Sequence, residues 1–333
     1  MCLEKEIVLK KYFEQKYFTQ VNYLTSNEFG VIERQSYYPN DSSDNSFVCD
    51  PDPIFDVASL TKVFVGAYLT VIALQEQRLK IDDEIVPKVT VEMLLNHTSG
   101  IISWLPLYLM KKDIAISKMK NVDLSHYGKR VYSDIGLMLL GQKIEEIYNE
   151  NLMSLWKKKI FTPLKLQSCG FRTMLSNPNE MFVPTSFDNP YEKKLALNSG
   201  EELKEHFVWR NYRIQGECND GNCHFYWGGV SAHAGLFSSI NDMAILIKSF
   251  WNQNFFDQYW AKKYLGFTPG NVMDLGLNQT FGHHGFTGCS FALDPETKKF
   301  MVFLSNRQWH GLGVDGNYPA WKNCVRELIK DFF

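Results

Sequence analysis

The chain has 333 residues, which is enough for two domains or for one large domain with two lobes. A hydrophobic fraction of 45% predicts a globular protein that buries a core. The formal net charge of −2 gives no electrostatic support for binding to nucleic acid or to an acidic membrane surface.

The first residues and the cysteines bear on where the protein works. Residues 1–6 (MCLEKE) are charged and contain no apolar segment of a signal peptide, and no apolar run reaches the ~20 residues of a membrane-spanning helix. Seven cysteines, an odd number, favour free thiols in a reducing compartment. We therefore expect a cytoplasmic protein, or a periplasmic or extracellular one if an N-terminal leader is missing from the sequence.

The N-terminal part of the chain predicts a helix followed by a strand. Residues 4–19 carry apolar side chains at helical spacing. Residues 30–34 are rich in Val and Ile and predict a strand, with a turn before it at Ser26-Asn27. A polar loop is expected over 39–46, and two prolines exclude regular structure over 49–53.

A long apolar helix is predicted from Ser59 to Gln77, and it opens with the tetrad Ser59-Leu60-Thr61-Lys62. Helical spacing places Ser59 and Lys62 on one face, with β-carbons roughly 5–6 Å apart. A serine hydroxyl needs a base nearby to become a nucleophile, and a lysine can act as that base when burial lowers its pKa from about 10.4. Such tetrads also occur by chance, so this one indicates catalysis only together with further residues.

The middle of the chain is mainly helical by its apolar spacing. Residues 90–95 predict a short helix with an N-terminal threonine cap. Longer helical patterns cover 135–148 and 152–160. Residues 172–215 show little periodicity and many polar side chains, so irregular structure is expected there.

Cys218 and Cys223 lie beside His224 in a loop rich in Gly, Asn and Asp. Their spacing differs from that of zinc ligands, and no second pair of ligands accompanies them. We therefore predict thiols in a turn and no metal site.

The C-terminal part predicts strands between two helices. Residues 239–242 resemble a capping box for a helix through Phe250. A strand is expected over 272–276, and two apolar runs, 286–293 and 299–305, predict a β-hairpin. A closing helix is expected from Pro319 to Phe332.

Strands near both chain ends and helices between them predict one domain with two lobes. The α/β lobe covers about 1–85 and 236–333, and contains a sheet. The helical lobe, about 86–235, is inserted between these two parts, and the functional site lies in the crevice.

Three segments together resemble the penicillin-recognising serine hydrolases, nearest the branch of class C β-lactamases and D-alanyl-D-alanine carboxypeptidases. Ser59-Leu60-Thr61-Lys62 is the first, Tyr132-Ser133-Asp134 stands at the place of Y-x-N, and Gly282-His283-His284-Gly285 stands at the place of K/H-T-G. The resemblance covers roughly residues 54–310. It implies the β-lactamase/transpeptidase-like fold, an α/β (α+β) architecture in which an antiparallel sheet is flanked by helices.

The resemblance implies an acyl-enzyme mechanism without a cofactor, acting on a small molecule or short peptide. Ser59 attacks a carbonyl carbon, and Lys62 and Tyr132 share the proton transfers. The backbone N–H groups of Ser59 and Phe286, the latter on the strand after the third motif, form the oxyanion hole. His283 stands at the cleft edge and meets a substrate carboxylate or carbonyl. The ammonium group of Lys62 is expected to lower the pKa of Tyr132 from about 10.

Two positions depart from the family pattern. Asp134 replaces the usual Asn, which removes an amide donor to the substrate's acyl side chain. Its carboxylate raises the pKa of Lys62 and keeps it protonated, which favours Tyr132 as the base. His284 replaces a small Thr and brings a bulky ring to the carboxylate subsite. Both changes favour ester or amide hydrolysis over β-lactam hydrolysis.

Several alternatives stay open. The preferred function is a peptidase, carboxypeptidase or esterase acting on D-amino-acid or ester substrates. A true class C β-lactamase and a catalytically inactive binding or scaffold protein are the alternatives. A metal-assisted hydrolase using His283 and His284 is disfavoured, because adjacent residues of a strand point to opposite faces. His97 and His233 are expected to be structural, and the oligomeric state is not predicted.

Overall fold

The computed structural model describes residues 2–27, 30–38, 47–202, 207–252, 268–269, 280–330 and 332–333. Its strands are β1 (Val21–Asn27), β2 (Gly30–Tyr37), β3 (Phe55–Asp56), β4 (Glu84–Val86), β5 (Val89–Thr90), β6 (Cys169–Phe171), β7 (Ser186–Phe187), β8 (Arg213–Ile214), β9 (Leu236–Ser238), β10 (Thr268–Pro269), β11 (Phe281–His284), β12 (Ser290–Leu293) and β13 (Phe300–Ser305). Its α-helices are α1 (Cys2–Glu14), α2 (Tyr68–Gln75), α3 (Val91–Leu95), α4 (Lys112–Met119), α5 (Asp134–Tyr148), α6 (Leu152–Trp156), α7 (Pro190–Asn198), α8 (Ile240–Asn252) and α9 (Lys322–Ile329).

The main sheet is antiparallel and has the strand order β10-β11-β12-β13-β1-β2. It therefore combines strands from both ends of the chain, and the predicted fold class is confirmed. A smaller sheet has the strand order β3-β9-β6. Strand β3 comes immediately before the Ser59 segment in the chain, so its pairing with β9 ties that segment to distant parts of the sequence. The limits of the two lobes stay a prediction.

The N-terminal predictions needed two corrections. The first helix ends at Glu14 rather than at residue 19, because Lys16 adopts a left-handed φ of 60° and its N–H donates to the carbonyl of Phe13. Ser26 and Asn27 belong to β1, so the predicted turn there was wrong. The predicted loop over 39–46 lies outside the described residues.

The segment that carries Ser59 and Lys62 is not a regular α-helix. A 3₁₀ turn covers Ala58–Leu60, a π-helical turn covers Lys62–Ala67, and α2 follows. Ala58–Gln75 is, among the described residues, the one helical stretch long and apolar enough to cross a membrane. Most of it is buried inside the protein, and a core helix meets the same criteria.

Local signals of the helical region are largely borne out. Thr90 caps α3 through its side chain, which accepts from the N–H of Met93. Ser239 caps α8, but the carboxylate of Asp242 does not complete a capping box. It accepts instead from the N–H groups of residues 167–168 and ties α8 to the loop before β6. The unpredicted helix α7 interrupts the stretch that we expected to be irregular.

At the C-terminal end, β12 and β13 form the predicted hairpin, although residues 286–289 are a turn rather than strand. The closing helix α9 is shorter than predicted, and the expected strand over 272–276 lies outside the described residues. A large core packs α2, α5 and α8 against one face of the sheet. A second core packs α1 and α9 against the other face.

Candidate active site

Ser59 and Lys62 contact each other directly. Nζ of Lys62 donates to Oγ of Ser59 at 2.8 Å and to the carbonyl oxygen of His233 at 3.0 Å. The same Nζ lies 2.8 Å from Oδ1 of Asp134. The ammonium group is therefore surrounded by three oxygen atoms, two of which come from distant parts of the chain, and only 1% of Lys62 is exposed.

The turn before Ser59 is fixed by Asp56. Its carboxylate accepts from the N–H groups of Ala58, at 2.8 Å, and Asn219, at 2.7 Å, while its carbonyl accepts from Oγ1 of Thr287 at 2.7 Å. Ala58 has a left-handed φ of 46°, which non-glycine residues rarely adopt. Burial raises the pKa of Asp56 to about 6.

Asp134 decides the protonation of Lys62. Burial alone would lower the pKa of the lysine, but the adjacent carboxylate outweighs it and holds that pKa above its ordinary value. The expectation of a lysine with a pKa depressed by burial was therefore wrong. The contact instead supports the other prediction, that the Asp134 carboxylate raises the pKa of Lys62. Lys62 is therefore an ammonium group at neutral pH.

Tyr132 reaches the same place from the loop before α5. Its ring centroid lies 5.0 Å from Nζ of Lys62, 4.7 Å from the ring of His97 and 5.9 Å from the ring of His283. The interactions with Lys62 and Ser59 lower its pKa, but withdrawal from water raises it more, so the net shift is upward. The lowering of the pKa expected from Lys62 is present, but it does not decide the net shift.

His283 and His284 occupy β11 and face different neighbours. His283 is 4% exposed, and its Nδ1–H donates to the carbonyl of His284 at 2.9 Å. Burial lowers its pKa to about 3, so the ring is neutral, and it lines a cavity that Ser59 also lines. The ring of His284 packs 5.8 Å from that of Trp321, and burial lowers its pKa to about 2.

His97 and His233 have the structural contacts expected of them. Nδ1 of His97 accepts from the N–H of Ser133 at 3.1 Å. His233 contacts Oγ of Ser231 at 2.7 Å and Oδ1 of Asp220 at 3.0 Å. Within the part of the chain that the structure describes, no group of three or more His, Cys, Asp and Glu residues is arranged to hold a metal ion.

Gly285 allows the end of β11 to approach the serine turn. A β-carbon there would lie 2.5 Å from the carbonyl oxygen of Val57, so glycine is required. This close approach brings Phe286 beside Ser59. Phe286 lies in the turn after β11, not on the strand as expected.

Two cavities meet at Ser59, Tyr132 and Phe286, which line both. The cavity that we name the acidic pocket has a volume of about 170 Å³, and its wall includes Trp104, Asp134, Tyr191, Glu192 and Asp220. The cavity that we name the basic pocket has a volume of about 320 Å³, and its wall includes His283, His284, Arg307, Trp321 and Lys322.

Several of these wall residues were missed from the sequence. Glu192 lies on α7, in a stretch without helical periodicity, and Asp220 lies in the loop of Cys218 and Cys223, for which only thiols in a turn were predicted. Arg307 follows β13, where Nε donates to the carbonyl of Phe286 at 2.7 Å. Burial lowers its pKa to about 10, which leaves it a cation at neutral pH. No local signal marks a charge that reaches the site from a distant segment.

The chain belongs to the beta-lactamase family, because the model of that family matches residues 31–318. It is accordingly a hydrolase-family protein with the fold of the penicillin-recognising serine hydrolases.

Relatives and solved structures agree with this membership. The chain is 25% identical to an N-acetylmuramyl-L-alanine amidase of Bacillus subtilis (strain 168), over 77% of this chain and 68% of the relative. It is 23% identical to an Escherichia coli (strain K12) protein provisionally named a D-alanyl-D-alanine carboxypeptidase, over 87% and 79%. The crystal structure of a class C beta lactamase from Rhodobacter sphaeroides superposes with a TM-score of 0.67 at 16% identity, over 98% of both chains.

Proposed function

We propose that the protein is a serine hydrolase that cleaves amide or ester bonds of small substrates through an acyl-enzyme on Ser59. The observation that carries this proposal is the 2.8 Å contact between Oγ of Ser59 and Nζ of Lys62, beside Tyr132 and at the junction of two cavities. A nucleophile, a proton-transfer pair and space on either side of the scissile bond are the parts that such a reaction needs.

In the proposed first step, Oγ of Ser59 bonds to the carbonyl carbon and passes its proton to the Tyr132–Lys62 pair. In the resting site both partners hold their protons, so the active form is the one in which Tyr132 has lost its proton beside the Lys62 ammonium. The N–H groups of Ser59 and Phe286 hold the oxyanion, and one such donor is typically worth about 10²–10³ in rate. The carbon–nitrogen or carbon–oxygen bond then breaks, and the leaving group takes the proton.

In the second step, water attacks the acyl-enzyme, and the same pair takes the proton of the water. The bond between the acyl carbon and Oγ breaks, and Ser59 regains its proton. The products are an acid and an amine or alcohol, so the reaction needs no cofactor.

The leaving group is proposed to carry a carboxylate. The pKa values of His283 and His284 leave both rings neutral, so Arg307 and Lys322 supply the positive charge of the basic pocket. Peptidase, carboxypeptidase or esterase activity is favoured over β-lactamase activity, because Asp134 offers no amide donor and His284 adds a ring to that pocket. The names of the amidase and carboxypeptidase relatives support the same order.

Active-site labelling tests the proposal. A fluorophosphonate probe should label the wild-type protein and the Ser125→Ala variant, whose altered serine is exposed, but not the Ser59→Ala variant. Persistent labelling of Ser59→Ala would place the nucleophile elsewhere. A wild-type protein that is neither labelled nor active on D-dipeptides, esters and β-lactams would favour the binding or scaffold alternative.

A further inference from the structure

The acidic pocket has a one-sided charge. Asp134, Glu192 and Asp220 line it, whereas none of its described lining residues is Lys, Arg or His. The basic pocket on the other side of Ser59 has the opposite character. A substrate lying across Ser59 therefore passes from carboxyl groups on one side to the cations Arg307 and Lys322 on the other.

Two of the three carboxylates are already paired with a basic side chain. Asp134 lies 2.8 Å from the ammonium group of Lys62, and Asp220 lies 3.0 Å from the ring of His233. Glu192 is different, because no Lys, Arg or His of the described chain forms an ion pair with it. The nearby guanidinium of Arg210 donates instead to the carbonyls of Cys218 and Asn219, each at 2.7 Å.

Glu192 is held firmly although it lacks a cation. Its Oε2 accepts from Nδ2 of Asn189 at 2.9 Å and from the N–H of Gly221 at 2.8 Å. Its Oε1 is buried and accepts no hydrogen bond of normal geometry from a described residue, although the Tyr108 hydroxyl interacts with the carboxyl group. Gly221 is required for this packing, because a β-carbon there would lie 2.0 Å from Oε1.

The environment of Glu192 favours a positively charged guest. Burial and the charge of Asp220 raise its pKa to about 8, while Arg210 and Tyr108 oppose the rise. Asp188, which lines a separate small cavity together with Glu192, is already paired with Lys193 at 2.8 Å. A cation entering the pocket would favour the ionised carboxylate and gain a charge-assisted hydrogen bond.

We propose that the acidic pocket binds the free amino group of the substrate's acyl part, with Glu192 as its partner. The pocket, at about 170 Å³, is smaller than the roughly 300 Å³ of the smallest usual ligand sites, so it fits one amino-acid-sized group. Trp104 and Tyr191 provide aromatic walls beside that group. The substrate class is thus a short peptide, amide or ester whose acyl residue is an unblocked amino acid.

This inference rests on the proposed function, and matched ester substrates test the two separately. The wild-type protein is given alanyl and propionyl p-nitrophenyl esters, of which the alanyl ester is used in both D and L forms. These substrates differ only in the amino group. An α-ammonium group itself activates an ester, so each kcat/KM is divided by the rate of uncatalysed hydrolysis of that ester. A hydrogen bond to a charged group is worth about 1.5–3 kcal/mol, so this corrected value for the preferred alanyl ester should be roughly 10–100-fold higher than for the propionyl ester.

The Glu192→Gln variant should reduce that ratio to near one, whereas Glu217→Gln, whose carboxylate is outside the acidic pocket, should keep the wild-type ratio. Equal wild-type activity on both esters would overturn the inference and leave the acyl-enzyme proposal intact. A preference that survives in Glu192→Gln would overturn the assignment to Glu192. No labelling of Ser59 and no ester turnover would mean that the proposed function has failed. If Glu192→Gln does not fold, the wild-type ratio alone still decides whether an amino group is selected.

Discussion

At the scale of single residues, the carboxylate of Asp134 and the ammonium group of Lys62 form one unit. Their atoms lie 2.8 Å apart, and the lysine is almost fully buried. The carboxylate raises the pKa of Lys62 and also that of Tyr132. Both partners therefore keep their protons to higher pH than they would beside an amide.

The Asp134→Asn variant should move the acidic limb of the kcat/KM profile to lower pH. Removing the negative charge lowers the pKa of both Lys62 and Tyr132, so the active protonation state forms earlier as pH rises. The profile is measured with a neutral ester, with Asp113→Asn, an exposed site on α4, as the control. A limb that stays in place or moves upward would contradict the role given to Asp134.

Asp56 makes a separate prediction about stability. Its pKa in the folded protein, about 6, lies above the ordinary 3.8. The folded state therefore binds this proton more tightly, and the associated stability is present below pH 3.8 and lost as pH rises through about 6. The full difference corresponds to a contribution on the order of 3 kcal/mol.

The Asp56→Asn variant removes this proton-binding group, so its free energy of unfolding should lack that fall between pH 4 and 7. At neutral pH the amide can accept only one of the two N–H groups well, which costs about 1–3 kcal/mol. Urea unfolding at several pH values measures both effects. A constant difference between the two proteins across this range would show that Asp56 titrates normally.

At the scale of elements, α5 and the Ser59 segment pack against the loop residue Ala232. A β-carbon on Gly66 would lie 2.9 Å from the carbonyl of Ala232, and one on Gly141 would lie 2.7 Å from its β-carbon. The next residue is His233, whose carbonyl accepts from Lys62. Small residues at this crossing therefore help to place the carbonyl that accepts from the Lys62 ammonium group.

The Gly141→Ala variant should lose about 1–3 kcal/mol of stability through overpacking, despite the better helix propensity of alanine. Gly136→Ala on the same helix is the matched control, because its nearest contact would be an ordinary 3.4 Å. The Gly136→Ala variant should be as stable as the wild-type protein or slightly more stable. The double variant with Gly141→Ala and Ala232→Gly should lose less stability than the sum of the losses of the two single variants. Losses that simply add would disprove this packing contact.

Features that nearby residues in the sequence determine could be predicted. Features that depend on contacts between distant residues could not. The Ser59–Lys62 contact forms although the segment begins with a 3₁₀ turn rather than an α-helix, because residues three apart share a face in both geometries. The helix α7 has no clear apolar period, so Glu192 was not foreseen. The net pKa shifts of Lys62 and Tyr132 depend on the balance of burial against paired charge, which a sequence motif does not contain.

At the scale of the whole molecule, the sheet joins the two chain ends and separates two cores. Strand β1 pairs with β13 from Val21 to Ser26, and α1 and α9 cover the sheet face opposite the one that packs against the Ser59 segment. Tyr12 on α1 donates to Glu327 on α9 at 2.6 Å, and Trp321 stacks on Phe303 of β13. The terminal helices therefore support the strand that leads to Arg307.

The Leu328→Ala variant tests whether this second core stabilises the whole molecule. Leu328 is fully buried between α9 and the sheet, so its truncation should cost about 2–5 kcal/mol. Because β1 and β13 share one sheet, hydrogen exchange of amides in both strands should accelerate by the same factor. Leu124→Ala, at a site 71% exposed, should leave exchange unchanged. Acceleration confined to α9 would mean that this helix opens alone and that the sheet face packed against the Ser59 segment does not depend on it.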